Sequence, residues 1–243
     1  MNQVIQIENL KLSFNGNPVL KGITLNVNKG ENLVVIGKSG GGKSVMIQCI
    51  VGLLTPDEGS VKVFDKEVSN LNEEELKNLR IRIGFLFQQA ALYDSMTIRE
   101  NLSFPLTRVL RIKNQKEITR RSEEALDAVG LSDAMNKMPS DLSGGQRKRM
   151  GIARTLIVNP EIILYDEPTT GLDTITSKEI SQLILDVRDQ YKSTAIIITH
   201  DMSCAKITAD RIVVLNEGKL IAAGSYGALN NAENPFISSF FKY

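Results

Sequence analysis

Four glycines, two lysines and two serines set out the first chemistry in this chain. The run Gly37-Lys38-Ser39-Gly40-Gly41-Gly42-Lys43-Ser44 matches G-x-x-x-x-G-K-[ST] at each fixed position. Glycines at these places let successive backbone N–H groups converge on an anion. Lys43 is then placed to bridge the β- and γ-phosphates of a nucleotide, and the Ser44 hydroxyl to ligate Mg²⁺. Gly37, Ser39, Gly40, Gly42, Lys43 and Ser44 are therefore candidate nucleotide-binding residues. The plain alternative, a chance glycine-rich turn, is weakened by what flanks the run. Leu33-Val34-Val35-Ile36 reads as a buried strand, and Val45 to Leu54 as a helix ended by Thr55-Pro56-Asp57-Glu58-Gly59.

Further along, Ile162-Ile163-Leu164-Tyr165-Asp166-Glu167 delivers two carboxylates at the end of an apolar strand. In an open α/β sheet that end is where ligands bind. Asp166 suits contact with Mg²⁺, and Glu167 suits polarising a water for attack on a phosphoryl group. An acidic turn before Pro168 is the bland alternative. A third run, Leu142-Ser143-Gly144-Gly145-Gln146, opens a long helical pattern. Backbone N–H groups and a serine hydroxyl at a helix N-terminus form a second anion-binding arrangement.

These three runs together resemble the ATP-binding cassette (ABC) ATPases, over essentially the whole chain. The resemblance implies roles for four further residues. Gln88, after Ile83-Gly84-Phe85-Leu86-Phe87, is similar to the family's glutamine loop, which senses Mg²⁺ and the γ-phosphate. Asp173 of Gly171-Leu172-Asp173 is similar to its D-loop, and His200, the only histidine, to its switch histidine. Phe14 resembles the aromatic residue that stacks on adenine, with a core phenylalanine as the alternative. The resemblance also implies a head-to-tail dimer of two copies. In it Ser143, Gly145 and Gln146 of one copy face the nucleotide held by Lys43 of the other, with ATP and Mg²⁺ as ligands.

Elements of two kinds must position these residues. Short alternating runs before about Val68 suggest an antiparallel sheet beside a parallel core. From Thr97 to Asn159 the pattern is helical: a capping box at Thr97-Ile98-Arg99-Glu100, an amphipathic run from Ile118 to Val129 stopped by Gly130, and a helix from Ser143 to Asn159 stopped by Pro160. Thr176 and Glu179 read as the cap of the helix after Asp173, and Asn216-Glu217-Gly218-Lys219 as a hairpin turn. The fold class is α/β, a P-loop NTPase (RecA-like) core with an antiparallel β subdomain and an inserted α-helical subdomain. One cassette spans 1–243: 1–88 and 160–243 carry the core and β subdomain, and 89–159 the helical subdomain.

Composition narrows the partners. A net charge of +1 argues against a broad basic face for nucleic acid. Arg147-Lys148-Arg149, Arg120-Arg121 and Arg108/Arg111/Lys113 read as solvated helix charges. Cys49 and Cys204 read as reduced core thiols, which fits a cytoplasmic protein. No apolar run approaches membrane-spanning length, and residues 1–7 lack the pattern of a signal peptide. Any transport path would then belong to membrane permease subunits, with this chain peripheral on the inner (plasma) membrane.

The stretch from Phe85 to Leu106, with Ala90-Ala91-Leu92-Tyr93-Asp94-Ser95-Met96 and Phe104-Pro105-Leu106, is similar to that of Mla/Mce-type phospholipid transport ATPases. That implies a periplasmic lipid-binding Mce-type subunit as a partner. Gln146 and Thr174 depart from that group, where methionine and proline are common. A different ABC importer or exporter ATPase, or a soluble non-transport one, are the competing readings.

Overall fold

The structure, a computed structural model, describes residues 2–241; Met1, Lys242 and Tyr243 lie outside it, so the ends of the 1–243 unit and the first residue of the stretch read for a signal peptide are not covered. Strands β1 (Gln3–Phe14), β2 (Asn17–Asn28), β4 (Glu58–Val63) and β5 (Lys66–Glu67) form an antiparallel sheet in the order β2-β1-β4-β5. The larger sheet has the order β10-β9-β3-β8-β7-β6, built from β3 (Asn32–Ile36), β6 (Ile83–Leu86), β7 (Ile162–Asp166), β8 (Thr194–Ile198), β9 (Arg211–Asn216) and β10 (Lys219–Gly224). Its five strands from β9 to β6 run parallel, and β10 returns antiparallel through the Glu217-Gly218 turn, both residues at positive φ. The α/β class expected from the sequence is the one observed.

Strand alternation sorts the core into two halves. Leu33, Val35, Leu164, Ile196 and Ile198 face one side, where β1, β2 and helix α1 (Lys43–Ile50) cover them. Val34, Ile36, Ile163, Tyr165 and Ile197 face the other. There they join α3 (Ile98–Phe104), α4 (Gln115–Asp127), α5 (Gly144–Leu156), α6 (Thr174–Tyr191) and α7 (Met202–Thr208) in one apolar cluster. Each such side chain contributes roughly 1.5–3 kcal/mol of transfer free energy when fully buried. The helices between β6 and β7 share this cluster with the sheet, so Leu102, Leu126 and Met150 pack in continuity with Leu86 and Tyr165. Helix α2 (Glu73–Ile81) lies between β5 and β6, and α8 (Tyr226–Asn230) and α9 (Pro235–Ser239) follow β10.

Helix α4 runs Gln115–Asp127 where Ile118 to Val129 was expected, and three further helix limits differ from the sequence expectation. Helix α1 stops at Ile50, short of Leu54, because Gly52 takes φ +66° where a Cβ would lie 2.6 Å from Leu76 Cδ2. Helix α5 stops at Leu156, short of Asn159, which is left-handed (φ +56°) ahead of Pro160; proline disfavours the helical conformation in the residue before it. The cap of α6 is Asp173, whose Oδ1 accepts the N–H groups of Ile175 and Thr176, so Thr176 is inside the helix instead of capping it.

Candidate active site

Helix α1 begins directly at the end of the glycine loop, at the C-terminal edge of β3. Gly37 fits against β9 so tightly that a Cβ there would lie 2.0 Å from the Leu215 carbonyl oxygen. Gly42 takes φ +100° beneath β2, where a Cβ would meet Leu20 Cδ2 at 2.8 Å. Here close backbone approach and a left-handed turn exclude side chains. Lys43 is buried, and its Nζ donates to the carbonyls of Gly37 (2.8 Å) and Lys38 (3.0 Å), closing the loop on itself. Burial lowers its pKa, opposed by the neighbouring charges of Glu167 and Asp166.

The parallel register carries the carboxylates to the same edge. Asp166 ends β7 beside Ile198 of β8, and Glu167 follows in the left-handed region (φ +50°). That conformation is uncommon for a residue with a Cβ. It is held from several directions: the Glu167 N–H donates to Ile198 O at 2.9 Å, and Oε2 stands 2.8 Å from His200 Nδ1. The His200 N–H donates to the same Oε2 at 3.3 Å. Burial raises the pKa of Asp166, and repulsion from Glu167 adds to it, while Lys43 and Lys148 oppose the rise.

Ser39, Gly40, Gly42, Lys43, Ser44, Gln88, Asp166, Glu167 and His200 all line one cleft of about 320 Å³. Residues so far apart in the chain meet there because β3, β6, β7 and β8 are neighbours in a parallel sheet. For a divalent cation the test is the donor set. The Ser44 hydroxyl, Asp166 carboxylate and Gln88 side-chain oxygen are hard oxygens, and among the described residues no group of three or more His, Cys, Asp or Glu forms a cage. Such a set fits Mg²⁺, which takes the rest of its coordination from phosphate and water.

Six expected residues do not line this cleft: Phe14, Gly37, Ser143, Gly145, Gln146 and Asp173. Phe14 ends β1 with 43% of its surface exposed, which excludes the core-phenylalanine alternative, and Val19 of β2 lines the cleft in its place. Ser143 caps α5: its Oγ accepts from Gln146 N, and Gln146 Oε1 accepts from Ser143 N at 3.0 Å, a reciprocal capping box. The Gln146 side chain is thus engaged in the cap. Asp173 is likewise engaged at the start of α6, where bonds from Thr176 lower its pKa.

The expectation of solvated charges at Arg147-Lys148-Arg149 holds for Arg147 alone. Lys148 is 5% exposed and donates to the Gln88 and Glu167 carbonyls. Arg149 donates to Val129 O and pairs with Glu179 at 3.0 Å. Asn101 also escaped the sequence reading. Fully buried, it donates to Tyr93 O, Met96 O and Thr97 O and accepts from Tyr93 N, clamping the loop after Gln88. A capping pattern beginning four residues upstream, at Thr97, was the local signal near it.

Similarity to known proteins agrees with this geometry. The ABC transporter family model matches residues 20–170. A methionine import ATP-binding protein, MetN of Rhizobium etli, is 38% identical over 222 residues, 91% of this chain and 61% of that protein. The chain thus spans about three fifths of that relative's length. A probable ribonucleotide transport ATP-binding protein, mkl of Mycobacterium leprae, is 36% identical over 99% of this chain and 69% of its own. Among solved structures, the dimeric cassette MJ0796 bound to ADP and Pi superposes with a TM-score of 0.81 at 33% identity, covering 91% of this chain and 98% of that one. The cbiO1 subunit of the Clostridium perfringens complex cbiONQ gives 0.88 at 28%, covering 100% of both. On these grounds the chain belongs to the ABC transporter family.

Proposed function

We propose that this cassette hydrolyses MgATP as a head-to-tail dimer of two copies and drives membrane permease subunits, to which it binds on the cytoplasmic side. The observation that carries the reading is the meeting of Lys43, Ser44, Asp166 and Glu167 in one cleft, with His200 on the Glu167 carboxylate. The Lys43 ammonium neutralises the β- and γ-phosphates once it leaves the loop carbonyls. Ser44, Asp166 and Gln88 would hold Mg²⁺, which when bound would supply charge neutralisation for phosphoryl transfer. Glu167 orients water and accepts its proton as the water oxygen bonds to the γ-phosphorus and the bond to the bridging β-oxygen breaks. His200 holds the carboxylate in place. Phe14, exposed at the end of β1, offers a ring face to adenine.

Ser143 and Gly145 act on the partner's nucleotide in this reading, because neither reaches the cleft of its own chain. Dimeric neighbours of the same fold support it. The helical segment 89–159 links Gln88 to the permease as a subdomain.

The stretch from Phe85 to Leu106 favours phospholipid as the cargo, with an Mce-type lipid-binding subunit completing the system. Methionine import is the second reading, favoured by the 38% identity to a methionine import ATPase. Purifying the native complex from membranes and identifying its subunits and bound small molecules by mass spectrometry tests both. A permease with copurified phospholipid is expected; bound methionine supports the second reading. A soluble complex without any permease overturns both.

A further inference from the structure

Regular pairing between β6 and β7 ends at Leu86 opposite Tyr165. Gln88 and Glu167 therefore stand just past the ladder, where no strand hydrogen bonds set their spacing. One side chain bridges that gap. Lys148 projects inward from α5, is almost fully buried, and donates through Nζ to the Gln88 carbonyl and, at 3.2 Å, to the Glu167 carbonyl. Glu167 is the residue whose backbone is left-handed at φ +50°. Its carbonyl faces the ammonium in that conformation, so the bond from Lys148 opposes relaxation to an ordinary backbone angle. The same helix starts at Ser143, five residues earlier.

We propose that Lys148 is a positioning residue for hydrolysis, fixing the Glu167 carboxylate relative to the Gln88 loop and tying both to the helix that carries Ser143. The inference rests on the reading of Glu167 as the group that orients the attacking water. A buried ammonium is costly unless it is bonded and paired, and these two carbonyls supply the bonds. A side chain of equal length without a donor would strip the Gln88 carbonyl of this bond and leave the Glu167 carbonyl only the Thr170 N–H at 3.3 Å, loosening the link between the two loops.

The test compares Lys148→Met, Lys148→Gln and Glu167→Gln in the full chain with its membrane complex. Phosphate release gives kcat and KM, and a fluorescent ATP analogue gives nucleotide affinity. Lys148→Met is expected to lower kcat about tenfold or more while affinity stays within about twofold. Lys148→Gln, which keeps an N–H donor, is expected to recover part of the lost kcat. Should Lys148→Met fail to fold, the comparison of Lys148→Gln with the parent decides in the same terms: kcat lowered with affinity kept supports the proposal. Unchanged kcat in the folded variants, or kcat and affinity falling by the same factor, overturns it. Glu167→Gln separates the two readings. If that variant turns over normally, the assignment of Glu167 fails; if it is inactive while Lys148→Met is not, only the role of Lys148 fails.

Discussion

Glu167 Oε2 lies 2.8 Å from His200 Nδ1 and also accepts the backbone N–H of His200. Carboxylate and imidazole come from loops after adjacent parallel strands, β7 and β8. The carboxylate is thus engaged by both the backbone and the side chain of one residue, at the edge of the cleft.

Replacing Glu167 with Gln keeps its shape but removes the proton acceptor. Phosphate release is expected to fall at least about a hundredfold, with ATP affinity close to that of the parent. The ATP-bound dimer should persist, which size-exclusion chromatography with and without ATP would detect. Phosphate release at the parent rate would refute the assigned role.

Gly145 is packed by a residue of α6. A Cβ at Gly145 would lie 2.5 Å from Thr176 Cγ2, while Thr176 Oγ1 is anchored on Asp173 Oδ2 at 2.6 Å. Gly145→Ala should therefore push the start of α5 away from α6. Turnover should drop while ATP still binds to the Lys43 loop. Adding Thr176→Ser deletes the obstructing methyl and keeps the hydroxyl, so the double variant should regain part of the rate. Equal rates for single and double variants would sink this account.

Asn101 satisfies four backbone groups of the segment from Tyr93 to Thr97. Two residues of the same loop, Ala90 and Ala91, hold positive φ, and the Arg154 guanidinium caps the Ala91 carbonyl and lies 4.4 Å over the Tyr93 ring. Asn101→Ala is expected to cost about 1–3 kcal/mol, from the buried side-chain amide lost to the Tyr93 N–H and the Met96 carbonyl. Urea unfolding measures it, and hydrogen exchange should rise first between residues 89 and 97. A loss below about 0.5 kcal/mol would contradict the clamp.

Cys49 and Cys204 are buried free thiols, each with its pKa pushed up to about 11, chiefly by burial. A raised thiol pKa means less thiolate at a given pH, so about one thiol in a thousand is ionised at pH 8. Iodoacetamide should leave the native chain unmodified at pH 8 and label both residues in denaturant. Rapid native labelling of either would show that its helix opens.

The glycine loop, the Asp166-Glu167 pair and the Ser143 cap were legible in the sequence because each depends on a few consecutive residues. Glycines demanded by positive φ, carboxylates at a strand end and a serine with glutamine three residues later announce themselves locally. The hairpin at Glu217-Gly218 and the cap at Thr97 are of the same kind. The environment of Arg147-Lys148-Arg149 was not legible. Three adjacent cations look alike in sequence, yet α5 turns Lys148 into the sheet edge and leaves Arg147 outside. The contact of Gly145 with Thr176 was hidden for the same reason, since Thr176 comes from another helix.

By itself, then, the amino-acid sequence determined the local devices: a phosphate-binding turn, two carboxylates, a capped helix and the strand and helix periods that carry them. Tertiary structure alone decided which of them meet. The order β10-β9-β3-β8-β7-β6 brings Lys43, Gln88, Glu167 and His200 to one edge of the sheet. It also leaves Ser143 and Asp173 outside that cleft, each engaged in its own helix cap. The reason is physical: local motifs follow from backbone sterics and neighbouring hydrogen bonds, whereas burial and convergence follow from how distant strands pair and which helix faces cover them.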